Sequence, residues 1–269
     1  NGNSMSTIRF EKTGDLLGYT YFTIDDNNAA LDHPDWTKLV DYVELLIGGQ
    51  VIDTQDSIFT EKIAIDTFAN NVSKSSNGTH PGVSARSYFY PLRFFFCESP
   101  QNALPLVALN YHNVEIRIHW GAEASNYQWS AYSNCYYLDN EERGGFATRE
   151  HDMLIFQVQK NIPSNEKVQD LHFNHPVKYI ASSNTSSYSA LTAYDNKVKV
   201  TINGVDIDGF KWARPHFIEV MNYYHTNFVT SPDFFLFCFC LTTSLSQPTG
   251  TLNFSRLDSA KIFSDRLPI

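Results

Sequence analysis

Residues 41–55 read DYVELLIGGQVIDTQ, and residues 196–209 read NKVKVTINGVDIDG. In the first, Val43, Leu45 and Ile47 alternate along one face, as a half-buried strand requires. Gly48-Gly49 then permits positive φ, and the chain returns through Val51, which predicts a β-hairpin. In the second, Val198, Val200 and Ile202 alternate likewise, and Asn203-Gly204 is a strong two-residue hairpin signal. Val43, Leu45, Ile47 and Gly49 align with Val198, Val200, Ile202 and Gly204 at a constant offset of 155.

The parallel extends outward from the hairpins. Each is followed by a segment able to hold helical turns, SIFTEKIAIDTFANN in one half and HFIEVMNYYHTNF in the other. A dense aromatic strand is predicted next, YPLRFFFCE (90–98) and DFFLFCFCLTT (233–243). A Pro-containing loop then leads to Leu109-Asn110-Tyr111 and to Leu252-Asn253-Phe254, offset by 143, and each half closes on a strand, NVEIRIHW or LDSAKIF. Features in one order at nearly equal offsets indicate an ancient duplication of one β-rich unit. The first copy runs on into WSAYSNCYYLD whereas the second stops at Ile269, so a closing strand of the second copy is expected to be missing.

The stretch 139–170 between the copies is the most charged part of the chain. A short helix or strand is expected over HDMLIFQVQK, with NIPSNEK as linker. The second copy opens with LHFNHPVKYI, where Leu171, Phe173, Val177 and Tyr179 are expected to share a strand face. Pro/Gly/Asn turns and long crossovers, without an alternating βαβ pattern, predict an all-β chain of antiparallel sandwiches with short helices in the connections. The boundaries are residues 1–160 for the first barrel with its connector, 161–170 for the linker, and 171–269 for the second barrel.

Composition narrows the function. Of 269 residues, 14 % are aromatic and 18 % charged, which suits bulky β-sheet cores. The net charge is −9 and no run of Lys/Arg is present, which argues against direct contact with nucleic acid. Cys97, Cys135, Cys238 and Cys240 have no disulfide-framework spacing and read as reduced, buried thiols. The longest apolar run, FFLFCFCL, is far shorter than the ~20 residues of a membrane-spanning helix. No signal peptide is visible, and the start at Asn1 without Met suggests trimmed ends.

Candidate chemistry is sparse. His112, Glu115 and His119 lie close together, but strand alternation turns His112 away from Glu115, Arg117 and His119. His172 and His175 are likewise expected on opposite faces. Cys238 and Cys240 share a face among Phe, Leu and Thr, without the further ligands that zinc needs. No nucleophile elbow or phosphate-binding loop occurs. A glycosidase would need a facing carboxylate pair, for which Glu44 and Glu115 are the candidates. Arg256 and Asp258, flanking Leu257, are expected to share a strand face as a local pair. The sequons at Asn71, Asn77, Asn184 and Asn253 read as fortuitous without a secretory signal. No catalytic, cofactor-binding or metal residue is therefore assigned. In DFFLFCFCLTT both faces are apolar, so each barrel is expected to pack its outside against the other barrel or another subunit.

QPTGTLNFSRLDSA (247–260) closely resembles a hallmark stretch of the major capsid proteins of nucleocytoplasmic large DNA viruses, the group that includes phycodnaviruses, iridoviruses and marseilleviruses. FEKTGDLLGYTYF (10–22), YPLRFFFCESPQNALPLVALNYHNVEIRI (90–118), DNEERGGFATREHDMLIFQVQ (139–159) and LHFNHPVKYI (171–180) are similar to further segments of that family, in order. The family's N-terminal arm and opening strand, and the last strand of its second barrel, have no match here. The resemblance implies a double jelly-roll of two eight-stranded barrels side by side. It further implies a homotrimeric, pseudo-hexagonal capsomer tiling an icosahedral shell, in contact with neighbouring capsomers and minor capsid proteins, and assembled in the host cytoplasm. A β-sandwich carbohydrate-binding module, motivated by YQWSAY (127–132), and a β-sandwich hydrolase are the alternatives.

Overall fold

The structure, a computed structural model, describes residues 4–25, 35–68, 89–109, 111–162, 165–183, 190–226 and 234–266. Asn71, Asn77 and Asn184 lie outside the described residues. The chain divides into two compact units, Asn1–Glu61 with His80–Val158, and Lys62–Thr79 with Gln159–Ile269.

The strands of the first unit are β1 (Met5–Arg9), β2 (Leu16–Asp25), β3 (Val40–Ile47), β4 (Gln50–Asp56), β5 (Phe89–Pro91), β6 (Leu104–Pro105), β7 (Val114–Trp120) and β8 (Gln128–Tyr136). One antiparallel sheet has the order β1-β7-β3-β4, and in the other β2 pairs with β5 and β6 and also with β8. Gly48 and Gly49 adopt φ of 62° and 82°, the positive values that a tight hairpin between right-twisted strands demands. Alternation then sorts the side chains. Val43, Leu45, Val114, Ile116 and Ile118 are buried, while Glu44, Glu115, Arg117 and His119 form the polar outer row. Against that wall pack Phe22 and Tyr90, stacked at 6.2 Å, with Trp36, Leu17 and Leu106. Each such fully buried large side chain contributes roughly 1.5–3 kcal/mol.

The second unit carries β9 (Val168–Asp170), β10 (Pro176–Val177), β11 (Tyr179–Ser182), β12 (Lys197–Ile202), β13 (Val205–Asp206), β14 (Lys211–Trp212), β15 (Phe235–Cys238), β16 (Leu252–Asn253) and β17 (Ala260–Ser264). Its main sheet has the order β9-β17-β12-β13, with β14 also on β12. That order repeats β1-β7-β3-β4 strand for strand. Asn203 and Gly204, at φ of 51° and 76°, close the β12–β13 turn as Gly48-Gly49 close β3–β4. On the other side, β10 and β11 pair with β16 and β15, as β2 pairs with β6 and β5. Among the described residues of the second unit, β8 has no counterpart. Both predicted helical segments exist, at 57–67 and 213–225, and both include a π-helical stretch, Phe59–Ile63 and Ala213–Val220. The second core gathers Val198, Val200, Phe217, Phe235, Phe237, Phe254 and Ile262.

Several local expectations are corrected. The run 92–98 is not a strand: after Leu92 donates to Thr20 O, the chain leaves β2 and turns, with Cys97 N donating to Phe94 O at 2.8 Å. Phe94, Phe95 and Phe96 are buried there in irregular backbone. HDMLIFQVQK is neither helix nor strand; the helix is Asn140–Thr148, capped by Asp139, whose carboxylate accepts from the Glu141 and Glu142 backbones. At the opening of the second unit, His175 at φ 66° interrupts the strand. Leu171, Phe173 and Val177 still reach the core, but Ile180 does so in place of Tyr179. Along β15 and the residue before it both faces are indeed buried, Phe234 and Leu236 as well as Phe235 and Phe237, and they are covered within the single chain. A surface offered to another copy therefore lies elsewhere.

Candidate functional site

The loop between β15 and β17 fastens three segments of the second unit. The Thr249 hydroxyl accepts from Thr242 N at 3.0 Å and donates to Thr242 O at 3.3 Å. Gly250 has φ of 149°, and a Cβ there would stand 2.6 Å from Phe239 O. Asn253 Oδ1 accepts from Ser255 N at 3.1 Å, and Ser255 Oγ accepts from His175 N at 2.8 Å, securing that residue in its left-handed conformation. Asn203 Oδ1 accepts from Asp258 N at 2.9 Å and from Ser259 N at 3.2 Å. Lys178 Nζ donates to Thr243 O and Leu245 O at 2.8 and 2.9 Å, and burial lowers its pKa. The stretch QPTGTLNFSRLDSA is thus a structural clasp. Arg256 and Asp258 do not share a strand face, because Phe254–Arg256 forms a 3₁₀ turn and Asp258 lies outside any strand.

The groups weighed for chemistry are engaged or dispersed. Glu44 Oε2 takes Arg117 Nη1 at 3.2 Å and His119 Nε2 at 3.4 Å, on the outer row of β3 and β7. The register opposes Glu44 to Arg117 and Glu115 to Leu46, so the two carboxylates do not face each other. The His112 ring lies against Gly48. His172 and His175 both fall outside strands. Cys238 hydrogen-bonds Cys240, which raises the pKa of the former and lowers that of the latter, with the Lys178 ammonium helping the second shift. Cys97 is held at about 12 by burial. All four thiols are free, and no group of three or more potential metal ligands occurs among the described residues. Trp129, the centre of the supposed sugar platform, packs on Trp36 and Trp120 and donates to Ala124 O at 2.9 Å.

Two polar anchors went unread in the sequence. Asp15, nearly buried, accepts from Leu138 N at 2.8 Å and pairs with Arg143 Nε at 2.9 Å. Asp53, also buried, accepts from Val158 N at 2.8 Å and from Gln55 Nε2 at 2.7 Å; burial pushes its pKa up to about 6. Both fix the connector to the first unit. A lone Asp beside a glycine gives little signal for the first, and a lone Asp in a strand gives none for the second.

A repeated sandwich whose polar groups serve as fasteners, and whose defining loop is a clasp, belongs to the class of double jelly-roll structural proteins. The comparisons agree. Residues 1–139 match the family described as major capsid protein N-terminus, and residues 142–265 match the large eukaryotic DNA virus major capsid protein. The chain belongs to this family of major capsid proteins, which is structural and not enzymatic. It is 29 % identical to the major capsid protein of Pyramimonas orientalis virus, covering 95 % of this chain and 77 % of that one. It is 27 % identical to that of Paramecium bursaria Chlorella virus 1, covering 97 % and 75 %. In structure it resembles a chain of the PBCV-1 virus capsid quasi-atomic model, with a TM-score of 0.78 and 25 % identity over 97 % of this chain and 79 % of that one. The Faustovirus major capsid protein shares the fold, with a TM-score of 0.67 at 10 % identity, covering 99 % and 85 %. No helix among the described residues is long and apolar enough to cross a membrane.

Proposed function

We propose that this capsid subunit works as a homotrimer whose outline is pseudo-hexagonal, and that these capsomers tile an icosahedral shell. The observation that carries the reading is the repeated sheet order, β1-β7-β3-β4 and β9-β17-β12-β13. Two similar units per chain, taken three times, supply six near-equivalent corners. A head-to-tail contact between copies closes into a ring under three-fold symmetry and avoids an open fibre. An obligate contact of this kind buries on the order of 2,000–5,000 Å².

The functional parts in this reading are the first barrel with its connector (1–160), the linker (161–170) and the second barrel (171–269), with no catalytic, cofactor or metal residue. Neighbouring capsomers and minor capsid proteins are its further partners, and assembly proceeds in the host cytoplasm. Negative-stain imaging of the purified protein tests the reading. Three-lobed particles with a hexagonal outline are expected, and a field of single two-lobed particles would count against it.

A further inference from the structure

We infer that the connector of one copy docks on the outer face of the second unit's main sheet in a neighbouring copy. This rests on the capsomer reading and names the surfaces that meet in it.

The receiving face is built from β12, β14 and β17 and is unlike an ordinary solvated sheet. Lys197 Nζ stands 4.8 Å from the ring centre of Trp212. Lys199 Nζ lies between Phe210 at 5.1 Å and Phe263 at 4.9 Å. Such cation–π contacts immobilise long side chains in advance, so little further rotamer entropy is lost when a partner arrives. Trp212 and Phe210 nonetheless stay 46 % and 47 % exposed in the single chain, beside exposed Val205 and Ile207. Lys199 and Lys211 already hold Asp206 and Asp208, at 3.0 and 3.2 Å. Lys261, on the same face, holds Asp170 at 2.9 Å, and Lys197 has no carboxylate partner among the described residues, which leaves the face with one unpaired cation. Exposed aromatic rings such as Trp212 are enriched at the centres of interfaces, and charged groups such as Lys197 serve register and steering at their rims.

The connector is complementary in both respects. Residues 139–152 carry Asp139, Glu141, Glu142, Glu150 and Asp152 against two arginines, Arg143 and Arg149, and Arg143 is engaged by Asp15. Directly after the acids come Met153, Leu154 and Ile155, three consecutive exposed apolar residues, with Leu154 at 57 %. Such a run on a surface marks a contact site. The backbone over 151–160 belongs to no helix and no sheet. In a chain of net charge −9, acids followed by apolar residues on one strap match cations among aromatics on one sheet face. The occupant of the face is therefore a second copy of this chain, presenting residues 150–155.

To test this, ¹⁵N-labelled and unlabelled chains are mixed before assembly, the oligomer is treated with a water-soluble carbodiimide, and cross-linked peptides are sequenced. Amide cross-links from Glu150 or Asp152 to Lys197, in pairs of mixed isotope, are expected. In parallel, Lys197→Glu should raise the concentration for half-dissociation about tenfold or more. Adding Glu150→Lys with Asp152→Lys should restore association, while the thermal midpoint of the monomer stays unchanged. An oligomer that forms without these cross-links and ignores the charge swap overturns the docking and leaves the capsomer standing. A protein that remains monomeric overturns both.

Discussion

Asp15 and Arg143 stand 128 residues apart in sequence, yet Arg143 Nε meets Asp15 Oδ1 at 2.9 Å while Asp15 Oδ2 takes the Leu138 N–H. One carboxylate so joins the start of β2 to the helix that follows β8. Its side chain is 6 % exposed, against 58 % for Arg143. Asp15→Ala should cost about 2–3 kcal/mol, because it strands the Leu138 donor. Arg143→Ala should cost about 1 kcal/mol or less, since an exposed guanidinium contributes little. Urea unfolding of both variants separates the two effects, and equal losses would contradict the assignment.

Asn203 combines a positive φ with two accepted hydrogen bonds, and the contributions can be divided. Asn203→Gly keeps the turn and removes only the bonds to Asp258 and Ser259, for an expected loss of about 1–2 kcal/mol. Asn203→Ala adds the left-handed penalty, about 1 kcal/mol more. Thermal denaturation should rank wild type above Gly above Ala.

Gly250 should tolerate no side chain. Its φ of 149° and the 2.6 Å approach of Phe239 O to a Cβ position combine backbone strain with overlap against rigid main chain. Gly250→Ala is expected to cost about 3 kcal/mol or more. Gly209→Ala, at φ 64° with open space around its Cβ, should cost about 1–2 kcal/mol. Calorimetry on the two variants makes the comparison.

Asp53 gives a pH dependence of defined sign. Its folded pKa of about 6 lies above the ordinary aspartate value of 3.8, so the folded state binds this proton more tightly than the unfolded chain does. The associated stability is fully present below pH ~4 and is lost as pH rises through ~6. Asp53→Asn removes the titration, so wild type should fall relative to this variant by up to ~3 kcal/mol between pH 4 and 7. Urea midpoints across that range read the difference, and a constant gap would contradict it.

The sequence disclosed whatever local patterning dictates. The Gly48-Gly49 and Asn203-Gly204 turns, the alternation at Val43/Leu45 and Val198/Val200, and the duplication that they frame all appear in the two sheets. Apolar density misled over 92–98, because Phe94, Phe95 and Phe96 are buried by tertiary packing and not by strand pairing. The helix Asn140–Thr148 was hidden by Gly144 and Gly145, although Asp139 is a good N-cap residue. Val168–Asp170 and Met5–Arg9 are edge strands with few apolar residues, and only pairing with β17 and β7 reveals them. The clasp was recognisable as a conspicuous string of residues. Its partners, His175 and Asn203, became visible only in three dimensions.

Native mass spectrometry of the purified protein bears most directly on the central claim, that the twice-written sandwich is one third of a closed ring. The account predicts a dominant species of three times the 30.7 kDa chain, persisting on dilution as an obligate contact should. A dominant monomer or dimer at every concentration would contradict it.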